Sequence, residues 1–314
     1  MILQKPRVVF LFSAQLFIGL ILVKPTILHS QSLNQFAIFP SAALYAHPNS
    51  NLHIYSDVSH SGTFVSYNSA LINFYSGVWQ NNAGSSLPDE STIGINGVGG
   101  VFKFSGMLKI PQRINTIASR PMNGFPNLSL DNPLNVTVNL GQLHVNKNLD
   151  FTNGSLILNN VDVNVGGPPG SGSITGFSQK SFIVTGSGIT GGGLIRNTSG
   201  QTIALDFPIG TGLGSYTPLT ISYTGIANSI KFRVANNLYN KINFPEYVNK
   251  TWIMSTSLLD STAKADLTIQ HNSSEEGIEY FKNRNLAYLS RYDAKLASLW
   301  DILAPNTSKT PGSI

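Results

Sequence analysis

The stretch Asn127–Val165, NLSLDNPLNVTVNLGQLHVNKNLDFTNGSLILNNVDVNV, decides the fold. Its apolar residues come in alternating pairs: Leu128/Leu130, Val136/Val138, Leu143/Val145, Leu149/Phe151, Leu156/Leu158 and Val163/Val165. A period of two in pieces this short predicts brief strands, each turning one face to a core. The segment also repeats. Asn127-Leu128-Ser129-Leu130-Asp131-Asn132 is matched 21 residues later by Asn148-Leu149-Asp150-Phe151-Thr152-Asn153, and Asn139 and Asn160 keep the same offset. A repeat of this length with three short strands is what one coil of a parallel β-helix requires, every strand stacking on its equivalent one coil away. Asn and Gly between the pairs suit the corners, since both tolerate left-handed backbone. An antiparallel meander is the rival arrangement of the same strands.

Working outward, less regular elements of the same kind occur at 52–55, 62–65, 70–75 and 101–104, punctuated by Asn-Asn, Gly-Ser-Ser and Gly-Gly. The glycine-rich stretches 166–172 and 191–193 read as turns on the solenoid. Beyond Leu205 the strands lengthen, at 216–223, 229–234 and 265–271, which suits a β-sandwich. The segment 275–282 adds a helical turn. The expected fold is therefore all-β: a short parallel β-helix-like solenoid over 31–200, then a β-sandwich-like domain over 201–304 and a flexible tail over 305–314.

Residues 1–30 read as a signal peptide. Lys5 and Arg7 precede sixteen uncharged residues, Val8 to Val23, before Lys24 and Pro25 end the apolar run. A membrane-spanning helix needs about 20 apolar residues. Cleavage after Ser30 leaves Gln31 as the new N-terminus. The formal charge of +5 shrinks to +2 without Lys5, Arg7 and Lys24, and no basic run interleaved with aromatics remains to bind nucleic acid. Membrane contact is expected only through this segment before cleavage. With no cysteine in 314 residues, disulfides, thiolate catalysis and Cys-ligated metals are excluded.

A search for chemistry yields no catalytic residue, metal site or cofactor. Gly186-Ser187-Gly188-Ile189-Thr190-Gly191 spells G-x-G-x-x-G but lacks a following helix, so turn glycine is the better reading. His29, His47, His53, His60, His144 and His271 are scattered singly. His53, Asp57 and His60 are the nearest approach to a cluster, and alternation spreads them over different faces as surface polar residues. Asp131, Asp150 and Asp162 neighbour inward apolar positions and so point to water. With a 21-residue coil, Ser129 rather than Asp131 stacks beside Asp150, which does not build the facing pair of glycoside hydrolysis. Glu275, Glu276 and Glu279 read as a solvated loop or helix start. The Asn-x-Ser/Thr triplets at Asn127, Asn135, Asn153, Asn197, Asn249 and Asn272 suit corner chemistry. Tyr75 and Trp79 are either a sugar-stacking patch or core.

Three stretches carry a resemblance to a family: NLHIYSDVSHSGTFVSYNSALINFYSGVWQ at 51–80, the repeated coils within 125–158, and FPIGT at 207–211 with YTPLTI at 216–221. Trp252-Ile253, Ala265-Asp266-Leu267-Thr268 and Arg291-Tyr292-Asp293 continue it. Together they resemble the secreted surface proteins of Bacteroidota, in which β-helical coils precede a β-sandwich and usually a type IX secretion sorting domain. Asp260-Ser261-Thr262 is similar to the O-glycosylation triplet of such proteins. No sorting domain precedes Ile314, which implies a truncated reading frame, an export route ending at the periplasm, or another route. The resemblance implies an exported, non-enzymatic surface or adhesin-like protein with carbohydrate or surface protein as partner. The alternatives are a polysaccharide-active β-helix enzyme, lyase or glycoside hydrolase, or a fragment of a larger surface protein.

Overall fold

The computed structural model describes residues 35–300 apart from 118–120, 168–171, 202, 238–244, 288, 291 and 294–298. The expected signal peptide and the 305–314 tail lie outside the described residues, as do Pro168 to Ser171 of the glycine-rich turn and Arg291. The chain is all-β, a parallel β-solenoid of about seven turns.

Two long sheets form its walls. The first runs through Phe36–Ile38, Val58–His60, Val78–Asn81, Gln112–Thr116, Val136–Leu140, Leu156–Leu158, Ile183–Val184 and Ile209–Gly212, each parallel to the last. The second runs through Asn51–Ile54, Leu71–Phe74, Val101–Ser105, Phe125–Asp131, Leu143–Asn153, Val163–Val165 and Leu194–Thr198, again in parallel. A third wall, Ala43–Ala46 with Thr63–Ser66, exists only in the opening coils and reaches the next through a bridge from Thr63 to Ser86.

The 21-residue repeat sets the second sheet's register, with Leu128 beside Leu149, Ser129 beside Asp150 and Leu130 beside Phe151. A bulge then shifts Asp131 to Asn153. In the first sheet the offset is 20, Val136 meeting Leu156. The expected pairing of Asn139 with Asn160 is corrected accordingly: Asn159 Nδ2 donates to Asn139 Oδ1 at 3.5 Å, and Asn160 turns the corner at φ 59°.

The interior follows the walls. Where three walls enclose it, Phe64, Phe74, Trp79, Phe102, Phe104 and Phe125 fill it, with edge-to-face contacts such as Phe74–Phe104 at 5.1 Å and Trp79–Phe102 at 5.6 Å. Trp79 is fully buried, which settles it as core. Where two walls remain, leucine, valine and isoleucine dominate the buried column. Buried amides tie the corners. Gln112 Nε2 donates to the carbonyls of Phe74 and Ser76, Asn132 Nδ2 to the Ile110 carbonyl and Gln112 Oε1, and Asn123 Nδ2 to the Ser85 carbonyl.

Beyond Leu194–Thr198 the pairing becomes antiparallel. Asn228–Asn236 and Lys250–Thr256 extend the second sheet, while Ile203–Phe207, Leu219–Thr224 and Lys264–Ile269 form a three-stranded sheet. Its Leu205, Phe207, Ile221 and Tyr223 share one buried cluster with Ile230, Phe232 and Val234. The antiparallel strands share this cluster with the solenoid, and beyond residue 200 Ile209–Gly212 still pairs in parallel with Ile183–Val184. Among the described residues no helix is long and apolar enough to cross a membrane.

Replacing Trp79 by Ala is expected to cost about 3–5 kcal/mol through the cavity it leaves. At Gly154, φ is 80° and an added Cβ would stand 1.9 Å from the Asn132 carbonyl oxygen. Gly154→Ala should cost at least the roughly 1–2 kcal/mol of left-handed backbone before that clash is counted. Denaturant unfolding measures both, and a stability loss below about 0.5 kcal/mol at either site contradicts this packing.

Candidate functional site

Alternation leaves one row of side chains per strand on the outer surface of the second sheet. From the opening coil these are Asn51 and His53, then Leu71 and Asn73, Val101 and Lys103, Asn127 with Ser129 and Asp131, Asn148 with Asp150, and Ser173 with Thr175. Equivalent positions lie about 4.8 Å apart, so polar side chains bond along the stack. Asn73 Nδ2 donates to Asn51 Oδ1 at 2.7 Å. Ser129, Thr152 and Thr175 hydroxyls reach Asp150 at 3.2, 2.9 and 2.8 Å, and Ser173 Oγ reaches Asn148 Oδ1 at 2.8 Å.

The three outward aspartates are thus placed as expected, and each is engaged separately. Asp131 pairs with Lys103 at 2.7 Å and Asp162 with Lys231 at 2.6 Å. Asp162 also accepts the Gly193 N–H at 2.8 Å.

At the opening end, this surface meets aromatic stacks, of whose tyrosines the sequence singles out only Tyr75, here a buried ring 7% exposed. Tyr55 and Tyr75 follow register-paired Ile54 and Phe74, and their rings stack at 4.7 Å and 12°. His53 lies parallel to Tyr75 at 5.7 Å, with 2.9 Å between its Nδ1 and the Tyr75 hydroxyl. Burial, reinforced by the Tyr55 phenol alongside, raises Tyr75 above the usual phenol value. At the other end of the same strands His47 stacks on Tyr67 at 5.4 Å, with exposed Tyr45 beside it. The available signal is the 20-residue match of HPNSNLHIY at 47–55 with YNSALINFY at 67–75.

His53, Asp57 and His60 do diverge. His53 faces out, and Asp57 holds the next corner through Ser76 Oγ, Gly77 N and Val78 N at 2.8–3.0 Å. His60 corrects the surface reading: it is fully buried, 2.9 Å from the Ser86 carbonyl oxygen, and burial lowers its pKa. Among the described residues no group of three or more His, Asp and Glu side chains is arranged to hold a metal ion.

The Gly186–Gly191 turn wraps around a cation instead of presenting N–H groups to a phosphate. Arg233 donates to the carbonyls of Thr185, Gly188 and Gly192 at 3.2, 2.6 and 3.0 Å. Burial lowers its pKa, and that of Arg196 to about 10.

A second polar group lies at the far end. The helical segment is present as Ser273–Glu275 and Ile278–Lys282, and Glu279 stays exposed beside Lys282. Glu275 and Glu276 are not solvated. Glu275 meets Lys250 at 3.0 Å and accepts from Ser215 Oγ at 2.6 Å, while Glu276 takes Arg284 at 2.6 Å and His271 at 2.9 Å. Burial pushes the Glu275 carboxyl up, but hydrogen bonds from Ser215, Lys250 and Asn272 outweigh it and hold its pKa below the usual value. A cleft of about 530 Å³ opens here, lined by Asn236, Asn237, Asn249, Lys250, Ser274 and Glu275.

The fold and its outer ladder define a parallel β-solenoid protein with a polar, aromatic-ended face. Compared with family models, curated proteins and solved structures, the chain matches none.

His144, nearly buried between Leu143 and Val145, has no partner for Nε2 among the described residues, and burial lowers its pKa to about 4. An unfolded imidazole takes its proton near pH 6.5, so stability is full above that value and falls by up to about 3 kcal/mol as pH drops to 4. His144→Gln should flatten that slope in denaturant titrations at pH 7, 5.5 and 4. An unchanged slope would assign the acid sensitivity elsewhere, His60 first.

Proposed function

We propose that this is an exported, non-enzymatic surface protein whose second-sheet face binds glycan. The observation that carries the reading is an aromatic cluster, with His53 and Tyr55 stacked on the buried Tyr75, at the end of an outer row that carries amides, hydroxyls and the Lys103–Asp131 pair one coil apart. Aromatic rings offer an apolar face to the C–H side of a sugar, while amides and hydroxyls exchange hydrogen bonds with its hydroxyls. Regular spacing suits an extended chain held by many weak contacts, each adding to the others.

Export is supported by the leader-like pattern of residues 1–30, and surface display by the resemblance of stretches 51–80, 125–158 and 207–221 to secreted surface proteins of Bacteroidota. The absence of an acid pair in the reading rests on Asp131 and Asp162 each being held by a lysine and Asp150 by hydroxyls, arrangements suited to structure and contact rather than to proton transfer.

The purified protein is expected to bind a subset of polysaccharides on a glycan array without releasing reducing ends or unsaturated sugars. Tyr55→Ala should weaken that binding at least about tenfold, equivalent to about 1.4 kcal/mol, with folding unchanged by circular dichroism. Product release overturns the non-enzymatic reading. Absence of binding, or binding indifferent to Tyr55, overturns the assignment of the face. Protease shaving of intact cells tests display: protection of the chain from added protease overturns it.

A further inference from the structure

Asn236 and Lys250 stand opposite each other in the antiparallel pair that closes the second sheet. The Lys250 side chain is 5% exposed, and its Nζ touches three oxygens: Asn236 Oδ1, Glu275 Oε1 at 3.0 Å and Thr211 Oγ1 at 3.2 Å. Glu275 is held from several sides. Its carboxylate accepts from Ser215 Oγ, its carbonyl accepts the Asn249 N–H at 2.7 Å, and Asn272 closes a capping box with it.

An amine that touches both a carboxamide and a carboxylate has the components of an acyl transfer around it. We propose that Lys250 and Asn236 form an intramolecular isopeptide bond, with Glu275 carrying the protons. In water this reaction is negligible, because the amine is protonated and the carboxamide is a poor electrophile. Here the reactants are fixed together, and such positioning is worth effective molarities of about 10⁵–10⁸ M. The carboxylate supplies the general base and then the general acid.

The steps balance without a co-reactant. Glu275 takes a proton from the Lys250 ammonium, and the Nζ lone pair attacks Asn236 Cγ once its carboxamide has rotated to present that carbon. The Nζ–Cγ bond forms, and a second Nζ proton passes to Nδ2. The Cγ–Nδ2 bond breaks, and nitrogen departs with the transferred protons as ammonium, leaving Glu275 ionised as it began. No atom is oxidised or reduced. The exposed side of Asn236 on the cleft gives ammonia its exit.

Such a bond would lock the hairpin that ends the parallel stack, closing the segment between residues 236 and 250 in a chain that has no cysteine to do so. Constraining a loop in this way stabilises mainly by removing freedom from the unfolded chain.

The test is tryptic peptide mapping of the purified full chain by mass spectrometry. A crosslink predicts peptide 234–241 joined to 242–264, uncut at Lys250 and lighter than their sum by one ammonia. Lys250→Arg and Asn236→Ala should abolish the joined species, and Glu275→Gln should leave most of the chain unjoined. Circular dichroism checks that each variant is folded. Separate, unmodified peptides carrying Asn236 and Lys250 from the folded wild-type protein would overturn the proposal on their own, whether or not any variant folds. Full joining in Glu275→Gln would overturn the role of Glu275.

Discussion

Everything in this molecule depends on coil-to-coil backbone pairing in parallel register. A strand of three to five residues is too short to be stable alone, and a two-stranded pair is marginal in water. Each strand here borrows its hydrogen bonds from the coils before and after it. That arrangement demands that each corner, whatever its length, return the chain to the ladder, and that its own polar groups find partners. The buried amides of Gln112, Asn123 and Asn132 meet the demand: they give corner carbonyls a partner where water cannot reach. Asn135 and Asn160 serve differently, adopting left-handed backbone at the bends.

The second-sheet register was legible over 127–151 because period-two alternation and a near-identical repeat agreed, and agreement between levels is what specifies a fold. Asn139 shows where that logic stops. Its partner lies 20 rather than 21 residues away: the bulge sets Asp131 against Asn153, and the following corner then has two residues, 154–155, where the coil before has four, 132–135. The aromatic stacks left only a loose sequence match. What the two opening coils share is a ring at either end, His47 with Tyr67 and Tyr55 with Tyr75, and the residues between them differ. Arg233 and Glu275 were illegible for another reason: the carbonyls Arg233 binds and the Ser215 and Lys250 side chains that hold Glu275 lie 25 to 60 residues distant, brought close only by the tertiary fold.

Among the described residues the buried cations are concentrated at the end of the stack. Arg196, Arg233 and Lys250 all lie where parallel pairing gives way to antiparallel, each nearly buried. The change of direction exposes carbonyls that no following coil can bond, and cationic side chains are suited to collect several at once. The opening end is built otherwise, with stacked rings, amide pairs and one buried carboxylate, Asp89, held by backbone N–H groups. The two ends of the molecule are thus chemically unlike, and the polar outer face runs between them.

The walls also constrain how this chain can vary in length. Its parallel ladders have offsets from 20 to 35 residues, the corners taking up the difference, so gain or loss of a whole coil preserves alternation, whereas a single-residue change within a strand turns that strand's apolar side chains outward. Length in such a protein is therefore quantised: the face between the aromatic platform and the cationic end can be extended or shortened only in steps of one rung, about 4.8 Å. A lineage of such chains would behave as a ruler with fixed graduations, its reach tuned by counting coils rather than by adjusting residues.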